Sequence, residues 1–501
     1  MASLMRSRRK ADTDAILLLG FLVILAVFAY KVYTQGSMVV WNKAVEDGDV
    51  PGKTVVAVRK PVVAGAFYPS DPGKLAAMID EYLGKAKKSD AYGIRGLVSP
   101  HAGYVYSGPT AAYGYKQLEG MRYETVIVMG PSHRHGFKGA SIPNVTHYET
   151  PLGLVELSPK ISEMYGEDVI VCETNAHAGE HSVEVQIPFL QRVLQKFKLI
   201  PIVVGDIDPE KLAEALEKYV DEDTLIIAST DLSHYHQYDD AVGMDDETVK
   251  AVAALDFEAM RECEACGKTP TLALMSIAEK NGWGSEVLDY RNSGDTAGDN
   301  SSVVGYASIA FYDGLDMEEQ EFLVELARET LNSHYADGSL PEVDESQLTD
   351  KLERESACFV TLHKHGDLRG CIGHLSAMEP LYECVIQNAL NAALHDGRFN
   401  PVKWDELEDL DIEVSVLSEP RILPHESPED LLEKLVPGTD GVVIKYGWGQ
   451  STYLPVVWEQ LPEKEDFLNR LCLKQGSPED CWKSSKAEIY TYQAQDFSEV
   501  H

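Results

Sequence analysis

Three histidines in this sequence each follow a short apolar run. His101 comes after Gly96-Leu97-Val98, His133 after Thr125 to Met129, and His234 after Leu225 to Ala228. Histidine is the commonest neutral metal ligand and titrates near neutrality, so three delivered in the same way point to a shared site. Asp231 stands three residues before His234, a spacing that suits a proton-transfer pair or a carboxylate that orients a ligand. Cys263 and Cys266 form a C-x-x-C, a spacing for zinc or redox chemistry, but no second pair completes a zinc ribbon. The run Gly179 to Gln186 opens a helix and offers Glu180 and His181. Ser-His and Cys-His hydrolase chemistry is disfavoured, because no G-x-S-x-G elbow is present.

The elements that must position these groups are legible as apolar runs. Gly96 to Val98, Thr125 to Met129, Leu199 to Val204 and Leu225 to Ala228 read as strands, each followed by polar chemistry. Ser70-Asp71-Pro72 reads as a helix start, with Leu75, Met78, Ile79 and Leu83 at helical spacing. Another helix is expected over Leu212 to Tyr219. Strands alternating with helices predict an α/β sheet, and in such sheets ligands gather at the carboxyl ends of strands. The pattern changes after Tyr312. Leu323, Leu326, Ala327 and Leu331 mark a helix, Ala357 to His363 a strand, and Leu381, Val385 and Ala389 a second helix. Ile412, Val414 and Val416 alternate with Glu413 and Ser415, as in a strand with one wet face. Gly441 to Tyr446 and Thr452 to Trp458 read as further strands. This half is expected to be a separate α+β domain.

The chain has 501 residues, enough for two to four domains, and 44% of them are hydrophobic, which excludes general disorder. A net charge of −37 argues against nucleic acid held on a broad basic surface. The eight cysteines are too sparse for a disulfide scaffold. Ala15 to Tyr30 carries no charge and follows Arg6, Arg8, Arg9 and Lys10. As a helix it would cover roughly 24 Å, and Val32 and Tyr33 extend it. The layout predicts a transmembrane anchor with a cytoplasmic leader and everything else outside, that is, a single-pass protein of the cell membrane. The alternative is a signal peptide cleaved near Ala29 and a secreted product.

The segment Val63 to Pro69, the PHAGY at Pro100 to Tyr104, the GPSH at Gly130 to His133, the EHSVEVQIPFL at Glu180 to Leu190 and the STDLSHY at Ser229 to Tyr235 together resemble the Memo family, in order and over about 250 residues. The resemblance implies a fold like that of the class III extradiol ring-cleaving dioxygenases. It implies a metal on His101, His133 and Cys266, the last followed by Gly267 in a C-G motif. Asp231 and His234 match polar residues beside that metal and are the expected catalytic pair. Glu180 and His181 are expected to support the ligands or meet substrate. The dioxygenases carry a carboxylate where this chain has Cys266, which argues against ring cleavage. A thiolate turns the preference toward iron, with copper or zinc as alternatives.

Leu368 to Gly373 (LRGCIG) resembles the signature of the AMMECR-type domain, and the likeness continues through Asn388 to Pro401, Asp411 to Leu417 and Gly441 to Leu471. Arg369, Cys371 and His374 are the candidate cleft there; the same residues equally suit a tight turn entering a buried strand. The two families resemble components of one system that also involves a radical-SAM protein, which is the expected partner. The expected organisation is a leader (1–14), an anchor (15–33), a linker (34–60), a Memo-type domain (61–312) and an AMMECR-type domain (317–501). The expected function is redox or oxygenase-like metal chemistry. The alternative is a non-catalytic peptide-binding or signalling module.

Overall fold

The computed structural model describes residues 57–89 and 91–499. Its first half is built on four parallel strands, β1 (Ile94–Ser99), β2 (Thr125–Pro131), β3 (Lys198–Val204) and β4 (Thr224–Ser229), in the order β1-β4-β2-β3. All positions of β2 and β4 are buried, which is why they read as unbroken apolar runs rather than alternating ones. Each fully buried Val, Leu or Ile contributes about 1.5–3 kcal/mol relative to exposure. Helix α1 (Pro72–Lys85) starts as the sequence predicts: Asp71 accepts from Lys74 N, Pro72 stands where no amide is needed, and Leu75, Ile79 and Leu83 are buried. Helix α2 (Tyr104–Gln117) follows β1 directly.

Beyond β4 lie β5 (His234–His236), helices α3 (Tyr238–Ala253) and α4 (Lys268–Lys280), and two antiparallel strands, β6 (Gly284–Asn292) and β7 (Val303–Tyr312). β7 pairs with β1, and β5 and β6 both pair with β7. β6 mixes polar and apolar residues and is half-buried along most of its length, so no period marks it in the sequence.

The second half opens with α5 (Met317–Asp337). β8 (Ala357–Lys364) pairs with β9 (Asp367–Gly373) and, across α6 (Leu381–Leu394), with β10 (Leu410–Leu417). A second sheet holds β11 (Gly441–Tyr446), β12 (Gly449–Tyr453) and β13 (Glu488–Tyr492), and helix α7 (Lys464–Lys474) packs beside it. β14 (Ala494–Ser498) returns to the edge of β10. Ser415 is buried, not wet, because Ala357 and Leu417 of the first sheet pack on Val443 and Tyr492 of the second. The strand expected over Thr452 to Trp458 ends at Tyr453; Pro455 lacks an amide hydrogen and opens a 3₁₀ turn. Disulfides join Cys358 to Cys384 and Cys472 to Cys481.

The two halves share a seam. Arg122 donates two hydrogen bonds of 2.7 Å to the buried carboxylate of Asp440 and one to Lys434 O. Gln495 on β14 accepts from Leu315 N and donates to Leu315 O, both at 2.8 Å. Within the second half, Arg328 on α5 makes a two-pronged pair with Glu499 just beyond β14. A cavity of about 710 Å³, lined in part by Tyr92, Arg95, Arg354 and Ser418, lies along this seam.

The membrane anchor needs correction. The span expected over residues 15–33 lies outside the described residues, and no helix among the described residues is long and apolar enough to cross a membrane. The longest, α5, carries Glu318, Glu319, Glu321, Glu325, Arg328 and Glu329, each costly at the centre of a bilayer. The single-pass location, and the placement of both domains outside that follows from it, are therefore unsupported.

Candidate metal centre

Parallel strands end on one edge, and here that edge collects the chemistry. His101 follows β1, His133 follows β2, and Thr230 and Asp231 follow β4. Cys266 arrives from the other direction, just before α4. Gly267 makes this approach possible: a Cβ there would clash with the carbonyl oxygen of Ser229. Cys266 N donates to Asp231 O and Asp231 N to Cys266 Sγ, each at 3.2 Å, and Gly267 N donates to Thr230 Oγ1. Gly130 plays the same part for the loop carrying His181, since a Cβ on it would press on Ser182.

His101, His133 and His181 offer ring nitrogens that all lie within 4.8 Å of one another. The His133 and His181 rings stack at 4.7 Å, and His101 meets both edge-on. Cys266 Sγ sits 3.2 Å from His101 Nε2. Phe67 packs on the edge of His181.

Hydrogen accounting fixes which nitrogens face the centre. The Ser229 hydroxyl donates to Ser182 O at 2.6 Å, so its oxygen accepts from His101 Nδ1 at 2.9 Å. Gln186 Nε2 also donates to that oxygen, which confirms the direction. His101 therefore turns its Nε2 lone pair toward Cys266. Glu180 Oε1 lies 2.9 Å from His133 Nδ1, and the carboxylate also accepts from the amides of His133, His181 and Ser182. His133 Nε2 is thus left free, in the arrangement by which a carboxylate orients a metal-binding imidazole. His181 Nδ1 is buried without a hydrogen-bond partner.

The electrostatics agree. Burial, and then the neighbouring His133, push His101 down to about 3. Burial, and then His101, take His181 down to about 4. Glu180 is held well below the usual carboxylate range; burial opposes this, but the bond from His133 and the amide bonds outweigh it. Burial, and then the charge of Asp231, push the Cys266 thiol up to about 12. Uncharged imidazoles around a thiol make a donor set that fits a soft or borderline transition metal, which would take the sulfur as thiolate and release its proton.

The sequence-predicted residues fall into two groups. His101, His133, His181, Glu180 and Cys266 converge. Asp231 is buried beside them and accepts from His101 N at 2.7 Å. Asp231 does not hold the His234 ring. His234 N donates to Glu264 Oε1 at 2.8 Å, its Nδ1 lies 3.9 Å from the same oxygen, and Glu264 also pairs with His236. Glu264 lies inside the Cys263–Cys266 C-x-x-C, but as a spacer position of that motif it carries no signal of its own. The direct membership of His181 in the cluster was also not foreseen. A cavity of about 290 Å³ reaches Cys266 past Ser132, His135, Asp206 and Lys268.

In the second half, Arg369, Cys371 and His374 each have a separate carboxylate partner. Arg369 makes a two-pronged pair with Glu406 and donates to Asn400 O. Cys371 N donates to Asp396, whose carboxylate is clamped by Arg398. His374 faces Glu379. Burial raises the Cys371 thiol, which works against thiolate formation there.

Comparison with known proteins agrees with this division. A family model described as Memo-like protein matches residues 59–310, and one described as AMMECR1 matches residues 324–497. A MEMO1 family protein of Sulfolobus acidocaldarius is 38% identical over 284 residues, 51% of this chain and 100% of its own length. MEMO1 family proteins of Nitrosopumilus maritimus and Methanopyrus kandleri are each 37% identical over 51% of this chain and 99% of their own length. The crystal structure of an uncharacterized protein from Pyrococcus horikoshii is 34% identical, covers 36% of this chain and 92% of its own, and superposes with a TM-score of only 0.35. With half of its length matched to the one model and most of the remainder to the other, the chain belongs to the Memo-like protein family and carries an AMMECR1 domain behind its Memo domain.

Proposed function

We propose that the Memo domain is a metal-dependent redox enzyme whose ion is held by His101, His133 and Cys266, with His181 beside them as a further donor. The observation that supports this most is the orientation of the imidazoles. Ser229 and Glu180 take the Nδ1 hydrogens, so His101 turns its Nε2 lone pair toward Cys266, while His101, His133 and His181 offer ring nitrogens within 4.8 Å of one another. A transition metal there, iron or copper by the softness of the thiolate, supplies Lewis acidity and one-electron chemistry. The chain itself supplies orientation through Glu180 and Ser229, and a proton carrier through His234. That imidazole stands at the rim with Glu264, partly exposed, and is not committed to the ion. The 290 Å³ cavity beside Cys266 has room for a small substrate, with Lys268 and His135 at its wall.

The test is metal analysis of protein purified without oxygen, paired with turnover assays on catechols, peroxide and small thiols. His101→Ala and Cys266→Ala should each lose most of the metal while the domain stays folded. Full occupancy in both variants would sink the assignment. A radical-SAM protein as partner belongs to the same proposal, resting on the pairing of Memo and AMMECR1 domains in one chain. Failure of such a protein to bind the purified chain in any redox state would remove it.

A further inference from the structure

A second group of ligating side chains lies in the AMMECR1 domain. His374 follows β9, Glu379 stands in the loop before α6, and Cys384 lies in the first turn of α6; their ligand atoms are all within 4.8 Å of one another. His374 Nε2 is 2.9 Å from Glu379 Oε1 and 3.6 Å from Cys384 Sγ. Cys358 on β8 is joined to Cys384, and His374 N donates to Cys358 O, so one short loop folds over both sulfurs.

Hydrogen accounting shows what this group lacks. The oxygen 2.8 Å from His374 Nδ1 is the carbonyl of Ser376, which can only accept, so Nδ1 carries the hydrogen. With Nε2 unprotonated, the ring presents a lone pair to a carboxylate oxygen. Two acceptors at this distance require a cation between them, either a proton or a metal ion. The sulfurs favour the metal. Asn388 Nδ2 lies 3.5 Å from Cys358 Sγ and 3.4 Å from Cys384 Sγ, placed to donate to thiolates.

We propose that when the Cys358–Cys384 bond is reduced, Cys358, Cys384, His374 and Glu379 form a second, four-coordinate site for a zinc-class divalent cation. Two thiolates, one imidazole and one carboxylate suit a closed tetrahedral site. With a phosphine as reductant, the S–S bond takes two electrons and two protons to give two thiols. The phosphine takes the oxygen of water and leaves as its oxide. The cation then displaces the two thiol protons to solvent. Disulfide and metal therefore exclude each other at Cys384, and cation binding blocks reoxidation.

The experiment loads the full chain with cobalt(II), once after purification in phosphine throughout and once oxidised. Bound cobalt and thiolate-to-cobalt absorption are read. The reduced chain should hold one more equivalent than the oxidised chain. That equivalent should persist in Cys266→Ala, which separates it from the Memo centre, and in the Cys472→Ser, Cys481→Ser double variant. It should be lost in His374→Ala and Cys384→Ser, and weakened in the nearly isosteric Glu379→Gln, which guards against a folding artefact. Equal cobalt in both redox states overturns the proposal, as does an extra equivalent that survives His374→Ala and Glu379→Gln; a proton would then fill the gap.

Discussion

The Memo and AMMECR1 domains both place chemistry-bearing residues at strand ends, but only the first gathers those that the sequence singled out. Its four central strands run parallel, so His101, His133 and Asp231 leave the sheet on the same edge. The second domain is antiparallel, and successive strand ends lie at opposite edges. Arg369, Cys371 and His374 come from a single strand and its exit, and each is tied to its own acid: Glu406, Asp396 and Glu379. Direction of pairing, more than residue type, decides whether a set of reactive groups becomes one site or several.

Three predictions press on that contrast. The largest effect is expected at the rim of the Memo centre. His234→Ala should keep the metal but lower turnover by about 10²–10⁴, the usual range for loss of a general acid or base. Metal content and rate measured on the same preparation decide it, and unchanged turnover removes His234 from the mechanism. Next comes Glu180→Gln. It swaps an acceptor that serves four groups for an amide that cannot serve them all, so metal affinity should fall about 10–100-fold. A competitive chelator titration reads this directly, and undiminished affinity would mean that His133 needs no orienting carboxylate.

The smallest effect belongs to the AMMECR1 domain and should leave the Memo centre untouched. The Arg398 side chain, against burial, brings Asp396 down to about 2, and the Arg369 side chain does the same for Glu406. Unfolded carboxylates titrate near 4. Both groups therefore bind protons more readily when unfolded. Their contribution is fully present above about pH 4 and is lost as pH falls through about 2. Urea midpoints followed across that window should drop less steeply in Asp396→Asn than in the parent chain. Equal slopes would show that the clamp contributes nothing to acid stability.

Much of the first site was legible because buried parallel strands announce themselves as apolar runs, and the residue after each run is then placed without further information. Thr125–Pro131 and Thr224–Ser229 illustrate this. His181 and Glu264 were less legible for the opposite reason. They sit in irregular segments, and what sets their place is tertiary: stacking on His133 for one, the amide of His234 for the other. The two disulfides were not expected, because eight cysteines in 501 residues are too sparse for a disulfide scaffold. Ser415 was misjudged because one strand's alternation shows a polar position but not the second sheet that covers it.

The return of β14 to β10 has a consequence for synthesis. The strands of the Memo sheet all lie before residue 313, so that sheet can close while the rest of the chain is still being made. The AMMECR1 sheet cannot. Its edge strand, the Gln495 clamp on Leu315 and the Glu499 partner of Arg328 all emerge after the other strands of that sheet. Until they do, β10 presents a bare edge beside an already folded neighbour. A nascent chain that stalls before residue 494 is therefore a natural target for chaperones, or for pairing with another unfinished copy.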